Sequence, residues 1–191
     1  MNEPANEVSN IGPLSEEDIR GMQILNFCFI SGLVGFLGVI VFLFIISTEP
    51  KAPGAQGSDP DLFQNLSIAN AAVFISCFIA GSLIFKSKVA GITKAYCEAG
   101  QENTAPAPGL RWLAGSFKGA FVLRLSMLEG PGLFGGVICL LSINLDVIHH
   151  HPIHWLNLLS LIASVTYMAI AFPTQAKLTR LFSLEEQSLY R

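Results

Sequence analysis

Four long apolar runs restrict the fold of this chain more than any other feature. They cover approximately residues 22–46, 66–85, 120–145 and 155–172. A helix needs about 20 mostly apolar residues to cross a bilayer, and these runs are of that order. Because backbone polar groups inside lipid must be satisfied within each segment, helices are the expected form of all four. We therefore predict an all-α integral membrane protein, with residues 1–191 forming a single four-span domain built as a four-helix bundle.

The composition agrees with a lipid environment. The chain is 51% hydrophobic and only 13% charged, whereas a soluble domain is about 25% charged. Such a sequence is too apolar for a disordered protein. The formal net charge is -3, so there is no basic excess to displace counterions from nucleic acid. We expect the lipid bilayer as the surroundings of the chain and no nucleic acid as a partner.

The distribution of Lys and Arg predicts an orientation. In a four-span chain, both termini and the loop 86–119 share one side of the membrane. Nine of the eleven cations fall on that side, while Lys51 lies on the other side and Arg124 lies inside the third run. The nine are Arg20, Lys86, Lys88, Lys94, Arg111, Lys118, Lys177, Arg180 and Arg191. Since cytoplasmic loops carry the excess of cations, we expect both termini in the cytoplasm, and the membrane to be a bacterial inner membrane.

Two segments outside the apolar runs have patterns that predict helix. Ser15 precedes Glu16, Glu17 and Asp18, which is typical of an N-cap followed by an acidic first turn. The first helix is therefore expected to begin before the membrane. In the loop 86–119, apolar and basic residues alternate over 110–118. This segment is either an interfacial helix or the ordinary end of the third span.

Small residues recur at helical spacing in three of the runs. Helices in lipid associate through close packing and polar contacts, so such residues are expected to face neighbouring helices of the bundle. Homo-oligomerisation through one of these stripes is the alternative. The candidate packing residues are Gly32, Gly35 and Gly38 in the first run, Ala72, Ser76 and Ala80 in the second, and Gly132 and Gly136 in the third.

The third run contains the most informative polar group, Glu129. An ionisable residue within a membrane span is a functional candidate by default. Arg124 lies five residues earlier, nearer the cytoplasmic end, where its side chain can snorkel to the headgroups. Pro131 lacks an N–H, so the carbonyl of Met127 loses its usual helical donor. Glu129 could act as a polar latch between helices, pair with Arg124, or bind a proton or cation with help from the carbonyl.

Residues 124–138 resemble the carboxylate-bearing helix of rotary ATPase proteolipid (c) subunits. Those helices carry an acid within an apolar run and a glycine six residues later, as do Glu129 and Gly135. The resemblance implies that Glu129 would be an ion-carrying acid. It covers about fifteen residues, and the loop 86–119 is much longer than the short polar loop of those subunits.

A histidine cluster lies between the third and fourth runs. His149, His150, His151 and His154 follow Asp146, and imidazole with carboxylate suits zinc or copper. Pro152 interrupts the helical spacing of this set and favours a helix start at that point. A metal site or a pH-responsive patch is therefore the weaker interpretation, and four solvated loop histidines are the simpler one.

These patterns lead to three functional hypotheses. The sequence contains no nucleophilic triad, P-loop or dinucleotide fingerprint, so we expect a protein that is not an enzyme and has no cofactor. The leading hypothesis is an accessory or scaffold subunit of a larger membrane complex. The alternative is a proton- or cation-coupled transport component in which Glu129 titrates. The third is an outward-facing metal binder.

Overall fold

Long helices dominate the structure, a computed structural model that describes residues 14–47, 60–101 and 108–189. The all-α prediction is confirmed, and four helical segments are long and apolar enough to cross a membrane. The helices are α1 (Glu16–Ile46), α2 (Pro60–Gln101), α3 (Pro108–Asn144), α4 (Val147–His150), α5 (Leu158–Ile170) and α6 (Gln175–Leu189), with a 3₁₀ helix (Pro152–Asn157) between α4 and α5.

The segment 86–119 is mainly helical, contrary to its description as a loop. α2 has 42 residues and α3 has 37, well beyond the 20 or so that a bilayer requires. α2 continues past its apolar run and α3 begins before its own, because helical hydrogen bonding also suits the more polar sequence of 86–101 and 108–119. α3 is continuous from Pro108 into the third span, so residues 110–118 are the end of that span and not a separate interfacial helix.

The start of α1 follows the capping signal in the sequence. The backbone N–H of Asp18 donates to Ser15 Oγ at 3.2 Å, and the backbone N–H of Ser15 donates to Asp18 Oδ2 at 3.0 Å. This reciprocal pair is a capping box with Asp in the place of the usual Glu. It satisfies backbone donors that a helix start otherwise leaves open. The expectation that α1 begins before the apolar run is confirmed.

The chain, which we expected to form one domain, clusters into two compact units. One contains the described parts of Met1–Asn26, Ser82–Arg124 and Phe172–Arg191, and the other contains those of Phe27–Gly81 and Leu125–Ala171. Every Lys and Arg in the described ranges belongs to the first unit. The side to which either unit faces is a prediction from the charge distribution alone.

The first unit, which we call the basic unit, has an aromatic core. Phe117 of α3 is fully buried, and its ring lies 5.9 Å from that of Phe85 and 5.4 Å from that of Phe182 in α6. Asp18 forms an ion pair with Lys118. α6 thus contributes an apolar side chain to this core, and the C-terminal segment is an integral part of the unit.

The second unit, the apolar unit, packs α1 through its larger side chains. Leu33 and Ile40 are fully buried, and Phe44 lies edge-on to Trp155 with ring centroids 4.8 Å apart. Phe63 at the start of α2 clusters with Ile138 of α3 and Val147 of α4. The inward face of α1 therefore repeats at three- and four-residue steps, as expected for an amphipathic contact.

Candidate functional site

Two serines of α5 bind the backbone of α3 around Pro131. Ser164 Oγ donates to the carbonyl of Leu128 at 2.7 Å, and Ser160 Oγ approaches the carbonyl of Pro131 at 3.3 Å. Pro131 lies inside α3, where a proline disturbs the regular hydrogen bonds of the preceding turn. Hydroxyl groups of a neighbouring helix commonly bond backbone groups near such a proline. Here they approach the carbonyls of Leu128 and Pro131, whereas the carbonyl that loses its helical donor is that of Met127. Serine side chains of α5 therefore join α5 to α3 at this place.

Three glycines of α3 permit this close approach. A Cβ at Gly132 would lie 3.1 Å from Ser164 Oγ and 3.4 Å from the Cα of Leu161. At Gly135 a Cβ would lie 2.7 Å from Asn70 Nδ2, and closer still to the carbonyl of Asn157 and the hydroxyl of Ser160. At Gly136 it would meet the ring of Phe36 and the side chain of Ile40 in α1. α3 is thus the helix that α1, α2 and α5 approach through glycine.

A polar network joins α2 to the start of α5 beside Gly135. Asn70 Nδ2 donates to Ser160 Oγ at 3.1 Å, and Ser160 Oγ donates to the carbonyl of Asn157 at 2.9 Å. Asn157 Nδ2 donates to Ser67 Oγ at 2.8 Å and to the carbonyl of His154 at 3.0 Å. Such bonds contribute about 0.6 kcal/mol each on average between helices in lipid, and together they fix the position of α5 against α2 and α3.

Glu129 is not part of this network. Its side chain is partly buried, and among the described residues it has no hydrogen-bond or ion-pair partner. Arg124 belongs to the basic unit, where its guanidinium lies 4.5 Å from the centre of the Phe85 ring. A cation over an aromatic face is a favourable arrangement. The hydrogen bond that joins α5 to α3 here runs from Ser164 to the carbonyl of Leu128. The role of Glu129, Met127 and Pro131 as a polar latch or ion site stays a prediction.

The predicted packing residues divide into two groups. Gly132 and Gly136 contact neighbouring helices, as described above. In contrast, a Cβ at Gly32, Gly35 or Gly38 would meet no atom within 4 Å, because α1 contacts its neighbours through Leu33, Phe36 and Ile40 on another face. In α2, Ala72 and Ser76 are exposed and Ala80 is half-buried. Among the described residues, the stripe in α1 therefore does not face a helix of the same chain.

The histidines are distributed over different surroundings. Asp146 lies 3.8 Å from both His149 Nε2 and His150 Nε2, while His149 also stacks on Phe44. His154 is buried with its ring beside Phe63, and α4 ends before Pro152, which begins the 3₁₀ helix. Within the described ranges, no group of three or more His, Cys, Asp or Glu side chains is placed to hold a metal ion. Of the five residues proposed as a weak metal site, Asp146 thus lies beside His149 and His150, but the five do not form one set of metal ligands.

The residues that build the network were not identified from the sequence, although one signal was available. Ser160 and Ser164 are four residues apart in the fourth run, and Asn70 lies in the second. Polar side chains inside membrane spans commonly join helices, so these positions could have been selected in the same way as Glu129.

Comparison with family models, with curated proteins and with solved structures finds no match to this chain.

Proposed function

We propose that this chain is a non-enzymatic accessory or scaffold subunit of a larger membrane complex. The observation that supports this is the surface of α1. Only 11% of the apolar window of α1 is buried within the chain, compared with 50% for the third span. Gly32, Gly35 and Gly38 follow one another on this surface, and no atom of the described residues lies within 4 Å of a Cβ added at any of them.

Contact with lipid alone does not explain why glycine occupies these three positions of α1. Each glycine in a helix costs about 0.8–1 kcal/mol relative to alanine, and lipid tails contact larger apolar side chains equally well. Small residues at this spacing allow the backbone of a second helix to approach closely. The stripe on α1 is therefore suited to a transmembrane helix of a partner protein, and this is the role expected of an accessory subunit.

The test is to extract the full chain from its own membrane in mild detergent and to compare three forms by native gel electrophoresis and mass spectrometry. We expect the wild type and Gly21→Ile, a control at an exposed glycine of the same helix, to migrate in a larger complex that contains another protein. Gly35→Ile should migrate separately from that complex. A wild-type complex that contains only this chain would contradict the accessory role in favour of a homo-oligomer. An unaltered complex in Gly35→Ile would contradict the role of the stripe.

The second candidate function is proton- or cation-coupled transport through Glu129. It is favoured by the position of this carboxyl in the third span without a hydrogen-bond or ion-pair partner among the described residues. The full chain in liposomes should then dissipate a proton or cation gradient, and Glu129→Gln should abolish the flux while Glu17→Gln, at an exposed position in the first turn of α1, should not. Flux or assembly that survives Gln but not Ala would show that hydrogen bonding suffices, and the transport role would fail.

The proposed location is a bacterial inner membrane with both termini in the cytoplasm. The support is the excess of Lys and Arg in one set of connecting segments. Reporter fusions after Gly100 and after Lys51 test this orientation. Cytoplasmic activity is expected for the first fusion and activity on the opposite side for the second. The reverse pattern would overturn the proposed orientation.

A further inference from the structure

The apolar unit contains a groove between α2 and the segment formed by the 3₁₀ helix and α5. Its volume is about 720 Å³, within the range of roughly 300–1,000 Å³ that small-molecule sites occupy. Both walls belong to helical segments that are long and apolar enough to cross a membrane, so a lipid is the kind of ligand to consider for it. The side chains that line it include Ile68, Phe74, Ile75, Ile153, Leu156 and Leu159.

Asn70, a residue of the groove lining, has one polar atom without a hydrogen-bond partner among the described residues. The residue is only 3% exposed, and the atom is its Oδ1. The hydrogen bonds of the neighbouring Ser160 decide whether the atom without a partner is the amide oxygen or the amide nitrogen. The single hydrogen of Ser160 Oγ is directed to a carbonyl, with that of Asn157 nearest at 2.9 Å, so Ser160 accepts from the amide of Asn70 at 3.1 Å. The nitrogen of Asn70 therefore faces Ser160, and its oxygen is the free acceptor.

The environment of this acceptor restricts the chemistry of a ligand. Leaving a buried polar group without a partner costs about 1–3 kcal/mol, so a ligand that donates a hydrogen bond to Asn70 Oδ1 recovers this cost. Among the described residues, the lining contains no Lys, Arg, Asp or Glu, which favours an uncharged head, because a buried charge requires a partner. The other polar groups at the groove are Gln64, Ser67, His151, His154, Asn157 and Ser160.

The depth of Asn70 suits the head of a lipid. It lies four residues, or about 6 Å along the helix, inside the apolar run that begins at Leu66. A hydroxyl group of a neutral lipid at that depth has no water to bond, whereas the apolar side chains listed for the groove provide contact for its hydrocarbon part. Ile75 and Leu159 are both exposed on the groove walls.

We propose that this groove binds an uncharged membrane lipid with a free hydroxyl group, and that the hydroxyl donates a hydrogen bond to Asn70 Oδ1. The hydrocarbon part of the lipid lies along the apolar side chains of α2 and α5. A diacylglycerol has this chemistry, with one free hydroxyl group and two acyl chains.

The experiment measures binding of dioleoylglycerol to the full purified chain by native mass spectrometry, beside its 3-acetyl ester, which lacks the hydroxyl. Saturable binding of the alcohol is expected, with the ester about tenfold weaker, as the loss of one hydrogen bond implies. Equal binding of the two, or no saturable binding of the alcohol, would overturn the proposal.

Two adjacent alanines provide a matched pair of variants. Ala71 lines the groove, while Ala72 is exposed and is not part of its lining. Ala71→Trp should fill the groove and abolish binding, and Ala72→Trp should bind as the wild type does. Asn70→Leu should equalise the alcohol and the ester. If Ala71→Trp binds dioleoylglycerol as well as Ala72→Trp, the groove is not the site, whatever the folding of Asn70→Leu.

Discussion

Among the described glycines, Gly135 of α3 is the one at which an added Cβ would have the least space. In Gly135→Ala, the new Cβ would lie 2.7 Å from Asn70 Nδ2, and nearer to the carbonyl of Asn157 and the hydroxyl of Ser160. The two side chains can rotate away from the methyl group. The carbonyl of Asn157 belongs to the backbone, so the start of α5 must shift as well.

The expected loss of stability combines three contributions. Overpacking in a tight contact costs about 1–3 kcal/mol. Rotation of Asn70 and Ser160 breaks their mutual hydrogen bond and the bond from Ser160 to Asn157, at about 0.6 kcal/mol each. Replacing glycine by alanine in a helix returns up to about 1 kcal/mol. We therefore expect Gly135→Ala to lower the free energy of unfolding by about 1–3 kcal/mol.

The measurement is reversible unfolding of the full chain in mixed micelles by titration with sodium dodecyl sulfate, followed by the helical circular dichroism signal. Gly130→Ala is the matched control, because Gly130 is exposed in the same helix and a Cβ there would meet no atom within 4 Å. It should be unchanged or more stable by up to about 1 kcal/mol. Equal stability of Gly135→Ala and Gly130→Ala would refute the close contact.

A double-mutant cycle identifies the atoms involved. Ser160→Ala removes the hydroxyl that would meet the new methyl group. In the Gly135→Ala background this change should therefore cost less than it does in the wild-type chain. Additive effects of the two substitutions would show that Ser160 is not in contact with position 135.

Three further outcomes are expected in the same assay. Ser164→Ala removes the hydrogen bond to the carbonyl of Leu128 and should cost about 0.6 kcal/mol, up to about 1.7, whereas Ser126→Ala at an exposed position should cost nothing measurable. Asp146 has a φ of 60°, a conformation that disfavours branched residues; Asp146→Val should thus lower stability by about 1–2 kcal/mol, and a loss of under about 0.3 kcal/mol would contradict this. Phe117→Ala opens a cavity in the core of the basic unit and should cost about 3–5 kcal/mol, while Trp112→Ala, at 69% exposed, should cost far less.

The positions of the membrane-spanning helices could be predicted from the sequence, whereas the contacts between the helices could not. The apolar runs predicted all four spans, because the requirement for about 20 apolar residues depends on local composition alone. The capping box at Ser15 was also predicted, since its partners are three residues apart. The extension of α2 to Gln101 was not predicted, because polar helix outside lipid carries no hydropathy signal.

The contacts of the candidate site could also be predicted only in part from the sequence. The glycines at 132 and 136 were selected for packing by their spacing, but so were Gly32, Gly35 and Gly38, which meet no atom within 4 Å. Spacing identifies a small-residue face, and it does not identify what covers that face. Asn70 and Ser160 are 90 residues apart, and a contact at that separation depends on how the helices are arranged, which a single sequence does not encode in any local pattern.

The bonds from α5 to α3 have a consequence for how the sequence can vary. The acceptor of Ser164 is the backbone carbonyl of Leu128, and the group of α3 nearest to Ser160 Oγ is likewise a carbonyl, that of Pro131; every residue type supplies the same carbonyl. Position 128 can therefore exchange one apolar side chain for another without loss of the hydrogen bond. Position 164 has no such freedom, because only a residue with a small hydroxyl side chain can donate there. In a set of related sequences, the contact between α3 and α5 would therefore be recognised by conserved hydroxyl residues on α5. On α3, only the proline and the glycines would be conserved, and the side chains of the residues that supply the carbonyls would vary.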